Sequence, residues 1–68
     1  MDKASARQMI NILGKKFPRG FEFDIAKEHC GKNFELNVFM ETCNQMVKEQ
    51  VLALRKSTQG KPIFILLG

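Results

Sequence analysis

At 68 residues, 44% of them hydrophobic and 26% charged, the chain has the composition of one globular domain, near the lower size limit at which a single core holds a fold unaided. A disordered tail is excluded, and so is a membrane-spanning helix, because the longest apolar run is Ile63–Leu67. The net charge of +4 and the pI near 9.4 favour polyanionic partners, since each phosphate neutralised releases condensed counterions.

Met1-Asp2-Lys3 opens on charge with no apolar signal core behind it, so a cytoplasmic protein is expected. Ser5 with Gln8 three residues on has the form of a capping box, which predicts a helix from about Ala6 to Lys16. Its inner face carries Met9, Ile10, Leu13 and Phe17 at helical spacing. Gly14 costs about 1 kcal/mol against alanine in a helix interior, so either the helix ends there or another backbone packs against it. Phe17-Pro18-Arg19-Gly20 is a turn, and the alternation in Phe21-Glu22-Phe23 suits a very short strand.

Asp24 is placed to cap a second helix, Ile25 to Cys30, which Gly31 can close in the left-handed conformation. After Lys32 and Asn33, a third helix is predicted from Phe34 or Glu35 to Lys48. Leu36, Phe39, Met40, Cys43, Met46 and Val47 form its inward stripe. Val51–Leu54 and Ile63–Leu67 read as strands, joined by the polar, basic stretch Arg55–Pro62 with Gly60 at the turn. One α+β domain over residues 1–68 results, in the order helix, short strand, helix, helix, strand, strand, with a two- or three-stranded antiparallel sheet.

The hairpin strands are apolar on both faces: Ile63, Ile65 and Leu67 alternate with Phe64 and Leu66, and Val51 and Ala53 with Leu52 and Leu54. Only one face can meet the core of a two-layer domain, so something covers the other. A second copy paired through Leu52, Leu54, Phe64 and Leu66 is the simplest expectation. The alternative is that the N-terminal helix or residues 1–5 fold across that face.

Catalytic chemistry finds no support: there is one histidine, no Ser-His-acid spacing, no phosphate-cradling glycine loop and no HExxH. His29, Cys30 and Cys43 lack paired metal-ligand spacing, so no metal or other cofactor is expected, and both thiols read as reduced core residues. Met9, Met40 and Met46 read as packing, as do Phe21, Phe23 and Phe39.

This order of elements, from residue 5 to residue 67, resembles the winged helix-turn-helix superfamily of DNA-binding proteins. The stretch Phe39 to Leu52 is similar to the end of the recognition helix and the turn into the first wing strand in bacterial regulators of that type. Where such regulators usually have glycine, this chain has Gln50. The resemblance implies that helix three enters the major groove of double-stranded DNA while the hairpin lies along the backbone. It implies base contacts from Asn37, Val38, Glu41, Thr42 and Gln45. Phosphates would be held by Arg55, Lys56 and Lys61 on the wing, with Lys32 and the amide of Asn33 near the helix start. Against it stand Glu35 and Glu41 on helix three, whose carboxylates repel phosphate. A protein-interaction module, docking through the apolar hairpin or the acidic helix face, is the alternative, and binding to RNA or single strands a third reading.

Overall fold

Helix α1 (Lys3–Lys16) begins three residues before the capping-box pattern predicts, because Asp2 supplies the cap in the computed structural model, which describes residues 1–67. Gly68, the last residue of the expected domain, lies outside the described residues. Asp2 Oδ1 accepts from the Ser5 N–H at 2.8 Å, the bond an N-cap carboxylate makes to the third helical residue. Ser5 therefore lies inside the helix rather than at its cap.

Helix α2 (Phe23–Cys30) also starts earlier than expected, taking Phe23 into its first turn, with Asp24 behind it and Glu22 at the cap position. Of the predicted strand only Phe21 remains, bridged to Phe64 by two main-chain bonds of 2.9 Å. Gly31 closes α2 at its C-cap with the positive φ expected, 60°, though with ψ −128°, its N–H donating to the Lys27 carbonyl, and it leads into a 3-10 turn over Gly31–Asn33. Helix α3 (Leu36–Lys48) follows, with Glu35 at its cap.

The strands are β1 (Leu52–Lys56) and β2 (Pro62–Leu66), paired antiparallel from Leu52↔Leu66 to Lys56↔Pro62. Thus Arg55 and Lys56, expected in the loop, belong to β1. The tip is tight: Gly60 N–H donates to the Ser57 carbonyl, Ser57 N–H to the Lys61 carbonyl, and Gly60 takes φ 80°. This is the three-residue hairpin loop that needs a left-handed residue at its end.

One core joins these elements, built from Met9, Ile10 and Leu13 of α1, Phe21, Ala26 of α2, Phe39, Cys43 and Met46 of α3, and Leu52 and Phe64 of the hairpin. The Phe64 ring meets Phe39 edge-on at 5.5 Å and Phe21 at 5.8 Å. Truncating such a ring costs about 3–5 kcal/mol, a large part of what so small a domain has.

The expected oligomer surface is corrected by this packing. Leu52 and Phe64 are 2% and 1% exposed and belong to the core, and Leu66 is half-buried against it, while Leu54 alone of the four is exposed. Cross-strand partners share a face, so Leu52, Phe64 and Leu66 look toward the helices, and Ala53, Ile63 and Ile65 look away. The turn before Phe21 partly covers that second face: a Cβ on Gly20 would sit 2.4 Å from Ile63 Cγ2.

The alternative left open by Gly14 is decided by β2. A Cβ at Gly14 would lie 2.4 Å from Leu66 Cβ, an atom that moves only with the strand. Gly14→Ala is therefore expected to lower stability by about 1–2 kcal/mol through overpacking, although alanine is the better helix former. A urea titration reads the sign, and a raised midpoint would show that β2 yields.

Helix α3 ends in a Schellman arrangement, with Val51 N–H donating to the Met46 carbonyl at 3.1 Å and Gln50 N–H to the Val47 carbonyl at 3.0 Å. The residue that must turn left-handed is Gln50, at φ 64°. Gln50→Gly removes the strain of a side chain there, and the expected gain is about 0.5–1 kcal/mol after glycine's entropic cost. An unchanged or lowered urea midpoint would contradict it.

Candidate functional site

The surface of α3 is set by which flank α1 covers. The buried stripe is Phe39, Thr42, Cys43 and Met46, whereas Met40 and Val47 are half-buried and Leu36 is 51% exposed. Compared with the sequence reading, the inward direction is turned around the helix, away from Leu36 and toward Thr42. Leu36 thus does not anchor inward.

Thr42 is the clearest correction among the expected base-reading residues. It is 3% exposed, and its hydroxyl donates to the Val38 carbonyl one turn back at 2.8 Å, so it has nothing to offer outside. Gln45 is exposed but its amide donates to Glu49 at 3.2 Å. Val38 is half-buried, and Glu41 is exposed with a cation beside it. Asn37 alone of the five is exposed with no hydrogen bond or ion pair to another side chain among the described residues.

Three ion pairs connect the N-terminal segment to α3 and rise along both in the same order. The Met1 amine lies 3.3 Å from Glu35, Lys3 Nζ 3.6 Å from Glu41, and Arg7 grips Glu49 with two bonds of 2.9 and 3.0 Å. The Arg7 and Gln45 hydrogen bonds hold the Glu49 carboxyl below its usual range, and the Glu49 hydrogen bond raises the Arg7 guanidinium. All the carboxylates carried by α3 and its two cap residues thus face cations. That removes the repulsion toward phosphate that the sequence alone suggests. The signal for it was the run of cations Lys3 and Arg7 on the helix that α3 packs against, legible only once the pairing of helices is known.

Positive charge remains uncompensated at the other end. Among the described residues, Lys48 at the C-terminal end of α3 and Arg55, Lys56 and Lys61 on the hairpin have no acidic partner within ion-pairing distance and are exposed. Strand alternation divides the hairpin cations between faces: Lys56 shares the helix-side face with Leu54, while Arg55 shares the outer face with Ile63. Lys32 and Asn33, expected beside the start of α3, lie instead in the 3-10 turn, and the helix begins at Leu36. The Asn33 N–H is thus outside its first turn. Lys32 borders a hollow with Asp24, Lys27 and Glu28, and Asn33 another with Met1, Ser5, His29 and Cys30.

Cys43 is fully buried and its thiol is pushed up to about 12 by loss of solvation. Cys30 is half-buried and also raised by burial, and His29 is exposed. No three histidine, cysteine or acidic side chains come together in a metal-holding group among the described residues, and no helix among them is long and apolar enough to cross a membrane. No family model, no curated protein and no solved structure matches the chain.

The Asp2 cap and the Arg7–Glu49 pair have a pH signature. Asp2 is lowered by the Ser5 N–H bond and Glu49 by Arg7, so both carboxyls bind protons less tightly when folded than when unfolded. Their stabilisation is complete above the ordinary carboxylate range and is lost as pH falls through the folded values. Melting temperature is expected to hold from neutrality to about pH 5 and to fall below about pH 4. Arg7→Ala removes the largest cause that lowers Glu49, leaving only the Gln45 hydrogen bond, and makes that fall shallower. Equal acid sensitivity in variant and parent would remove Glu49 from the account.

Proposed function

We propose that the chain is a small winged helix-turn-helix protein that binds double-stranded DNA as a sequence-specific transcriptional regulator, with α3 in the major groove and the hairpin against the backbone. The order of elements supports the reading, with α3 leading through Gln50 directly into β1 and Phe21 bridged to β2 as the remnant of a third strand. One observation carries it. The α3 carboxylates are matched by Met1, Lys3 and Arg7, so the charge left open on α3 and the hairpin is that of Lys48, Arg55, Lys56 and Lys61.

That arrangement suits a phosphate backbone on physical grounds. Cations on a stiff hairpin replace condensed counterions without ordering a loop first, and uncharged amides on a helix can approach base edges without repelling the strands. The roles follow from position: Lys56 on the helix-side face, Arg55 on the outer face of β1 and Lys61 at the hairpin tip serve as phosphate grips.

The test is a salt series on a random duplex. Affinity is expected to fall steeply with salt, and Lys56→Ala with Lys61→Ala to flatten the log–log slope by about two. If no duplex binds at low salt, the reading is lost. A second reading is then left, favoured by Val51 and Leu67, a bonded pair at the base of the hairpin that expose 37% and 47% of their surface. In it the hairpin docks a protein, either a second copy or a larger assembly, with weak salt dependence.

A further inference from the structure

The outermost ridge of α3 carries a residue that the sequence pattern did not single out. With Thr42 turned inward, the helix directs Asn37, Glu41, Asn44 and Lys48 away from the core, and all four are exposed. Glu41 is drawn aside by Lys3. Asn37, Asn44 and Lys48 make no hydrogen bond or ion pair to another side chain among the described residues, unlike Gln45 and Thr42, so their polar groups are available to a ligand.

The two asparagines stand in the same local setting. Asn37 has half-buried Met40 three residues on, and Asn44 has half-buried Val47 three residues on. Residues three apart are neighbours on a helix surface, so each amide has an apolar side chain beside it. An asparagine amide can bond adenine N6 and N7 in the major groove, and an apolar side chain can meet the methyl of the paired thymine. Each unit is therefore matched to both members of an A·T pair.

Building on the DNA-binding reading, we infer that Asn37 and Asn44 are its specificity-determining residues and that the duplex it selects carries two adenines two to three base-pair steps apart. Seven residues span about 10.5 Å along a helix. The comparable span of a zinc-finger helix, from its first to its last base-reading position, covers three successive bases. Lys48, one turn beyond Asn44 and next to the hairpin, holds a phosphate rather than a base.

Selection of the full chain against a randomised duplex pool tests this directly. The expected enrichment is a site with two adenines at that spacing. Replacing either adenine by 7-deazaadenine, which removes N7, weakens binding between about fivefold and a hundredfold. Asn37→Ala is expected to abolish the preference at one adenine and Asn44→Ala at the other, each with an unchanged salt slope. Lys48→Ala weakens all duplexes alike and lowers the slope by about one. Both asparagines are exposed, so circular dichroism of the variants should match the parent. Salt-sensitive binding without paired adenines, or an enriched site that both asparagine variants retain, overturns this inference and leaves the DNA-binding reading standing. Failure to bind any duplex at low salt removes both.

Discussion

Phe64 is where the separate parts of this chain become one structure. Its main chain bonds to Phe21 on one side of β2, its partner across the hairpin is Leu54 of β1, and its ring stands edge-on against Phe39 of α3. The hairpin, the segment before α2 and α3 are therefore referenced to a single side chain that is 1% exposed. The described residues form one core cluster, so the orientation of α3 relative to the hairpin depends on that aromatic contact.

The second determinant is the way α1 lies on α3. It packs on the flank that carries Val38, Thr42 and Glu49, burying a threonine whose hydroxyl is satisfied within its own helix. Ion pairs along the seam match the α3 carboxylates with Lys3 and Arg7. Exposed pairs of this kind add little to stability. Their larger effect is electrostatic: they leave the outer surface of α3 without uncompensated negative charge, and so separate a neutral, amide-bearing ridge from a cationic hairpin.

Two backbone positions show how little room the architecture leaves. Gly14 lets β2 approach α1 to within the space a methyl group would fill, and Gln50 accepts a left-handed conformation so that α3 can turn at once into β1. The first is legible as an anomaly, since a glycine inside a strong helical pattern asks for a reason. The second has no local signal, because a glutamine carries no sign that it will take φ 64°.

By itself the sequence determined the order of three helices and a hairpin turned at Gly60, since periodicity and turn residues are local properties, whereas the strand expected at Phe21–Phe23 shrank to a bridge at Phe21 and the 3-10 turn over Gly31–Asn33 was not legible. It also determined that Phe39, Cys43 and Met46 point inward. Only the tertiary structure decided which flank of α3 is covered, because a helix with apolar residues over a wide arc can be rotated until its neighbour settles it. Leu36 could thus be left exposed and Thr42 buried, and Asn44 joined Asn37 on the open ridge. The same holds for the hairpin. Alternation divides its residues into two faces, but whether Phe64 or Ile65 meets the core depends on α1 and α3, which lie far away in the chain and close in space.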